Sequence, residues 1–249
     1  MNFDHYHNAL KNLDVVRVVG RVVKVVGLVI EAQIQGVSIG DLCMVEAAND
    51  MIRAEVVGFK EDQVLMMPLG LVAGIRPGSK VFPTGIPISV KVSNDLLGRV
   101  LNGLGDPIDG KGPINPDSLY NVDQDPPDPF SRPRITDVLT VGVKSIDGLL
   151  TLGKGQRIGI FAGSGVGKST LMGMLARNCS GEVNVICLVG ERGREVNDFI
   201  EESLGEDGLK KSVVICATSD TTPLIRVKCA MVGTAVAEYF RDQGKDVLF

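Results

Sequence analysis

Ala162-Gly163-Ser164-Gly165-Val166-Gly167-Lys168-Ser169 follows the apolar run Ile158-Gly159-Ile160-Phe161 and precedes Thr170-Leu171-Met172-Gly173-Met174-Leu175-Ala176-Arg177. A short strand, a glycine loop and the start of a helix are the context a phosphate-binding P-loop requires. Gly163, Gly165 and Gly167 let the backbone take positive φ and approach a ligand with no Cβ in the way. The freed N–H groups form an anion nest, and the helix that starts near Lys168 adds its unpaired N–H groups and the positive end of its dipole. Lys168 is placed to reach the β- and γ-phosphates and the Ser169 hydroxyl to ligate Mg²⁺. The candidate nucleotide-binding set is Ala162, Gly163, Ser164, Gly165, Val166, Gly167, Lys168, Ser169 and Thr170. Ala162 stands where the usual pattern opens with glycine, and a small residue satisfies that position.

Outward from this loop, residues 136 to 249 alternate strand and helix. Strands are expected at 157–162, 183–189, 212–218 and 246–249, and helices at 168–178, 194–204 and 223–242. Strands separated by helical crossovers make a parallel sheet with helices on its faces. Ligands of such sheets bind beyond the carboxyl ends of the strands.

Upstream, residues 15–92 read as all-β. The valine-rich run from Val15 to Val29 favours strand. Every second residue gives Val16, Val18, Val22, Val26, Leu28 and Ile30 as one face, with Gly20 and Lys24 as interruptions. Further short strands are expected at 41–47, 51–58, 63–67, 79–82 and 87–92, separated by turns such as Asn49-Asp50 and Arg76-Pro77-Gly78. Many short strands at this spacing imply a small closed barrel. Residues 93–135 are rich in turn formers. Asn102-Gly103-Leu104-Gly105-Asp106-Pro107-Ile108-Asp109-Gly110 and Asp123-Gln124-Asp125-Pro126-Pro127-Asp128-Pro129 exclude regular helix or central strand. Their carboxylates lack calcium-loop spacing. Phe3, Tyr6, Leu10 and Leu13 fall on one face of a short N-terminal helix. It is either a packed helix end, a frayed terminus or a partner-binding segment.

The totals narrow the class. A chain of 249 residues with 44% hydrophobic content builds one large or two small cores. A formal net charge of −4, with no polybasic run, argues against a general nucleic-acid binder. Cys43, Cys179, Cys187, Cys216 and Cys229 show no CxxC spacing and read as reduced, mostly buried thiols of a cytosolic protein. No apolar run has the length of a membrane span, and Met1 to Asp14 lack signal-peptide form.

A second chemical stretch follows the strand Val183-Asn184-Val185-Ile186-Cys187-Leu188-Val189. Gly190-Glu191-Arg192-Gly193-Arg194-Glu195 puts Glu191 at the carboxyl end of a strand, on the sheet edge shared with Lys168. A carboxylate there can polarise the water that attacks a γ-phosphorus. It can equally be an acid complementing a helix N-terminus. Asp220, Thr221 and Thr222 form a third edge loop, where they either act on ligand or cap the following helix.

Together these stretches, with Gly27-Leu28-Val29-Ile30-Glu31-Ala32, Met67-Pro68-Leu69-Gly70, Gly98-Arg99-Val100-Leu101-Asn102-Gly103-Leu104-Gly105 and Ala237-Glu238-Tyr239-Phe240-Arg241-Asp242, resemble the rotary and secretion ATPases related to the ATP synthase catalytic subunit. The resemblance is strongest to the flagellar type III protein-export branch, whose P-loop also carries an alanine like Ala162. It implies a fold of mixed α/β class: a partner-binding helix at 1–14, a β-barrel at 15–92 and a RecA-like P-loop core at 93–249. It further implies ATP and Mg²⁺ as ligands, Glu191, Lys168 and Arg192 as catalytic residues, and Ser169 and, through water, Glu195 at the metal. The implied partners are five further copies in a homohexameric ring, a stator-like regulator at the N-terminal helix, and an export gate with its chaperones and exported proteins. Nucleic acid is not among them. The implied location is cytoplasmic, peripheral to a membrane-bound export apparatus. The family's second metal-linked aspartate, its arginine finger, its adenine-packing segment and its C-terminal helical domain have no counterpart here. The resemblance therefore implies an N-terminal portion of an ATPase that by itself hydrolyses poorly, since an arginine finger alone is worth roughly 10³–10⁵ in rate. Injectisome ATPases share the same chemistry. A non-catalytic nucleotide-binding or docking subunit of a rotary ATPase is the competing class, and Glu191 speaks against it.

Overall fold

The structure, a computed structural model, describes residues 18–48, 50–163 and 165–249. The expected helix at 1–14 lies outside them, as does Ser164 of the glycine loop. The chain divides into two units, one ending at Ile88 and the other spanning Ser89–Phe249.

The first unit is a closed barrel of strands β1 Gly20–Val26, β2 Val29–Gln33, β3 Asp41–Glu46, β4 Met51–Lys60, β5 Gln63–Pro68 and β6 Lys80–Pro87. They are ordered β1-β2-β5-β4-β3-β6, and β1 closes antiparallel onto β6. Alternation fills the interior: Val64 and Met66 of β5 point in, as do Cys43 and Val45 of β3 and Ala54 and Val56 of β4. The alternation read along the valine run breaks partway. Val22 and Ile30 are buried as expected, but Val26 and Leu28 are about half exposed. The register slips between Val22 and Lys24 in a bulge, which turns Val25 toward the core in place of Val26. Gly27, at φ 60, then makes the tight turn into β2.

The strand expected at 87–92 begins two residues later and leaves the barrel. β7 Ser89–Val92 pairs antiparallel with β9 Ser118–Asn121 within the second unit. Pro87 supplies no N–H to a ladder, which ends the barrel strand there.

The main sheet of the second unit has the order β14-β12-β13-β8, with all neighbours parallel. Its strands are β8 Val100–Asn102, β12 Val183–Val189, β13 Ser212–Ala217 and β14 Val247–Leu248. β13 is buried at every position, as a central strand covered on both faces should be. β8 lies on the edge, and its outer side is closed by its own loop. The Asn102 N–H bonds the Asp106 carbonyl at 2.8 Å, the Ile108 N–H bonds the Val100 carbonyl at 2.9 Å, and Leu101 bridges Pro107. A two-stranded ribbon, β10 Val138–Leu139 with β11 Leu152–Gly153, encloses α1 Lys144–Leu149. The Asp147 carboxylate accepts from the Val141 and Gly142 N–H groups at 2.9 and 2.8 Å and ties helix to ribbon.

The helices are α2 Lys168–Asn178, α3 Gly193–Asp198, α4 Gly205–Lys210 and α5 Pro223–Asp242. The expected helix at 194–204 is α3 continued by a π-turn, Phe199–Leu204, before Gly205 at φ 66 breaks the run. α5 starts with Pro223 at a position where a missing N–H costs nothing. It buries Val232, Val236 and Phe240 completely.

The strand expected at 157–162 is absent: residues 157–162 lie in no sheet. A strand needs a hydrogen-bonded neighbour. Here residues 157–162 have no such neighbour among the described residues, and Ile158 and Ile160 instead line an apolar cavity of about 440 Å³ with Leu175, Val185, Leu248 and Phe249. Ile158 is about half exposed and Phe161 almost fully so.

Candidate functional site

Two of the three loop glycines have the backbone expected of them, and Gly163 does not take a positive φ. Gly165 has φ 77 and Gly167 φ 94, and a Cβ added at either would meet nothing within 4 Å. The glycines therefore serve conformation, with open space in front of them. Gly167, in the left-handed region with ψ 19, is the N-cap of α2, and no side chain caps that end. The first N–H groups of a helix have no intrahelical partner. A helix N-terminus left uncapped behind two positive-φ glycines is a ready anion site. Lys168 and Ser169 open α2 and are exposed, as is Thr170. This donor set fits the phosphates and divalent ion of a nucleotide: N–H groups, one ammonium and a hydroxyl, on exposed residues, with Lys168 also lining the cavity beside Ile158 and Ile160.

Glu191 follows β12 and is half-buried. The chain around it is pinned on both sides. The Gly190 N–H bonds the Ala217 carbonyl at 2.7 Å, and the Glu191 carbonyl accepts from the Ser219 N–H at 2.9 Å. The loops after β12 and β13 thus hold one another at the carboxyl edge of the sheet. α2 is packed on that sheet through a core in which Met172 and Ala176 meet Ile186 and Leu188 of β12, Val196 of α3 and Phe199 of the π-turn. The helix that carries Lys168 and Ser169 and the strand that Glu191 follows share one core. Arg192 donates from Nη1 to Glu195 Oε1 at 3.3 Å, so two expected site residues engage each other. The pair is well exposed, and such a contact is worth about 0–1 kcal/mol, readily given up to a ligand.

The third edge loop behaves differently from a simple cap. Thr222 is the N-cap of α5 but makes no side-chain cap bond, and its buried Oγ1 has no partner among the described residues. The Thr221 hydroxyl donates to the Thr218 carbonyl at 2.8 Å, and a hydrogen bond from the Thr218 side chain lowers the pKa of Asp220 below its ordinary value.

Two supports for the site escaped the sequence reading. Asn184 is fully buried and donates from Nδ2 to the Ala176 carbonyl at 2.8 Å and to Ser212 Oγ at 3.0 Å, locking the end of α2 to two strands. An asparagine within an apolar strand was the available signal. The other is Asp147, whose hold on residues 141 and 142 is legible only from geometry.

This fold and loop define a P-loop nucleotide-binding protein preceded by a β-barrel. Family models agree with both units: the beta-barrel domain of the ATP synthase alpha/beta family matches residues 15–85, and that family's nucleotide-binding domain matches residues 142–249. The chain belongs to the ATP synthase alpha/beta family. It is 54% identical over 233 residues to the flagellum-specific ATP synthase of Bacillus subtilis (strain 168), covering 92% of this chain and 53% of that protein. It is 51% identical over 241 residues to the type 3 secretion system ATPase of Xanthomonas euvesicatoria, covering 96% and 54%. The solved structure of the assembled ATPase EscN from the enteropathogenic E. coli type III secretion system matches with TM-score 0.82 and 41% identity, over 92% of this chain and 55% of that one. EscN in complex with its central stalk EscO matches with TM-score 0.84. The chain spans about half the length of the relatives it matches. Among the described residues no helix is long and apolar enough to cross a membrane.

Proposed function

We propose that this chain binds Mg-ATP at residues 162–170 and, as part of a complete ATPase, hydrolyses it to energise protein export of the flagellar type III kind. The observation that carries the reading is the uncapped N-terminus of α2 behind Gly165 and Gly167, packed through one core onto β12, the strand that Glu191 follows. The N–H groups of the loop and Lys168 neutralise the β- and γ-phosphates. Ser169 would hold the metal directly and Glu195 through water, and the ion would supply charge neutralisation at the γ-phosphoryl group. Glu191 orients the attacking water and accepts its proton as the bond to the ADP oxygen breaks. Arg192, released from Glu195, offers a guanidinium to the charge that develops.

By likeness to its relatives, the protein works as a ring of six copies beneath a membrane-bound export apparatus, facing the cytoplasm. A stator-like regulator binds residues 1–14, and export gate, chaperones and exported proteins are the further partners. In this reading residues 1–14 are the partner-binding segment, the barrel ends at Ile88 rather than at 92, and the ATPase core is Ser89–Phe249. The injectisome reading has its own support, since identity to a type 3 secretion system ATPase is nearly as high as to the flagellar enzyme.

The test is Mg-ATP binding and phosphate release by the 249-residue chain beside a version extended to the length of its relatives, with Lys168→Ala and Glu191→Gln in each. Binding by both chains, with turnover in the extended one abolished by either substitution, supports the proposal. Intact binding without turnover in either chain supports a non-catalytic nucleotide-binding or docking subunit instead.

A further inference from the structure

We infer that Gly173 is a positioning residue, and that its contact with the backbone of Ser203 sets how Ser169 stands toward the loop of Glu191 and Glu195. The inference rests on the proposed nucleotide site and adds a residue to it.

Ser169, Gly173 and Arg177 are spaced four apart on α2 and so lie on one stripe of the helix. Gly173 and Arg177 on that stripe meet the π-turn and α4, while Ser169, one turn nearer the loop, is exposed. At Gly173 the approach is backbone to backbone: an added Cβ would lie 2.4 Å from the Ser203 carbonyl oxygen and 2.7 Å from its carbon. Neither atom can swing away. One turn further on, a Cβ added at Gly208 would meet Leu204 Cδ1 at 2.8 Å and Arg177 Cγ at 3.1 Å, both on side chains that can yield. The rigid contact is therefore the one a single turn from Ser169.

The π-turn makes the approach possible. Ser203 lies within it, and π-turns are rare outside places where a helix must present its backbone in an unusual way. The same run begins at Gly193, next to Arg192 and Glu195. One turn beyond the contact on α2 stands the Ser169 hydroxyl, and the partner run begins, two residues after Glu191, with the turn that carries Glu195. To restore ordinary contact distance around an alanine Cβ, α2 and the π-turn must part by about 1 Å, a displacement that costs on the order of a hundredfold in a positioned reaction. A uniform loss of stability would not single out the metal. A tilt of this stripe would, because Ser169 is on it and Lys168, one residue round the helix, reaches the phosphates on a long flexible stem.

The experiment measures the affinity of the chain for ATP with and without Mg²⁺, in wild type, Gly173→Ala, Gly208→Ala and Gly208→Leu, with thermal unfolding of each. The expected result is that Gly173→Ala loses about tenfold or more of the Mg²⁺-dependent gain in affinity, about 1.4 kcal/mol, while metal-free ATP binding stays within about twofold. Gly208→Ala should keep both. Gly208→Leu, a wedge in the same face farther from Ser169, should lose about two- to threefold of the gain, which decides the matter even if Gly173→Ala does not fold. A full Mg²⁺-dependent gain in Gly173→Ala, or in Gly208→Leu should the former not fold, overturns the inference. So does an equal loss of metal-free and metal-dependent affinity. Absence of ATP binding by wild type overturns the nucleotide reading, and this inference with it.

Discussion

Arg99 grips Asp109 through two parallel hydrogen bonds, Nε to Oδ2 at 2.7 Å and Nη2 to Oδ1 at 2.9 Å, with both side chains nearly withdrawn from solvent. The same carboxylate accepts from the Val100 and Lys111 N–H groups, and Arg99 also reaches the Gly112 carbonyl. One ion pair thus fastens the edge strand β8 to the loop that folds back on it.

The pair predicts an acid dependence. Hydrogen bonds from Arg99, more than any other influence, hold the Asp109 carboxyl well below the usual carboxylate range; burial works against them, and the two backbone N–H groups add to them. A depressed folded pKa means stability fully present above about pH 4, the ordinary value, and lost as pH falls toward the folded one. Urea unfolding from pH 7 to pH 2 should show this loss in wild type and a shallower one in Asp109→Asn; equal slopes would refute the assignment. Asp109→Ala at pH 7, which leaves Arg99 buried and unpaired, should cost about 3–5 kcal/mol.

Gly167→Ala tests the loop without touching a charge. With φ at 94 and open space around it, the penalty is conformational rather than steric, about 1–2 kcal/mol. Titration with ATP should show affinity down by about tenfold, with a melting temperature near wild type, because an exposed loop contributes little to the core. Unchanged affinity would mean that the left-handed conformation is not the one that binds.

Gly233→Ala probes the packing of α5 on β12. An added Cβ would fall 1.9 Å from Cys187 Sγ, inside the thiol's own volume. Overpacking of this kind costs about 1–3 kcal/mol, or about 2–4 °C per kcal/mol in melting temperature for a domain of this size. Cys187→Ala removes the obstructing sulfur, so the double variant should recover at least half the loss by calorimetry. Additive losses would place the clash elsewhere.

Cys43 should be inert. Burial inside the barrel, helped by the nearby Asp41 charge, pushes its thiol up to about 11. At pH 8 that leaves on the order of a hundredfold fewer thiolates than an ordinary cysteine has. Labelling with a thiol reagent followed by peptide mapping should find Cys43 unmodified until the barrel unfolds. Rapid labelling in the native protein would show that the barrel opens.

Much of this architecture was legible in sequence because local chemistry and tertiary demand agree. Gly165 and Gly167 of the loop, Pro223 at the head of α5 and the short strands expected at 41–47 and 63–67 each match what the structure contains. The misses came where partners decide. Residues 157–162 have strand composition but no neighbour to bond. Residues 89–92 chose β9 over the barrel, a long-range choice that no window of sequence contains. The bulge near Val22 shifted which valines face inward, and periodicity cannot locate an extra residue. At the site, the loop and Glu191 were readable as motifs. The closeness of Gly173 to Ser203 was not, since it depends on a π-turn that has no simple sequence signature.

The loop folded over β8 has a further consequence, for solubility. The outer N–H and C=O groups of an edge strand are a template on which another chain can grow. Here the Ile108 N–H and the Asp106 carbonyl already occupy them, and the bridge to Leu101 is made by Pro107, which has no N–H to offer the next strand. This side of the sheet is sealed against β-addition by the chain itself. A substitution that frees Asp109 from Arg99 would reopen it, so the first sign of that ion pair's loss would be association between molecules.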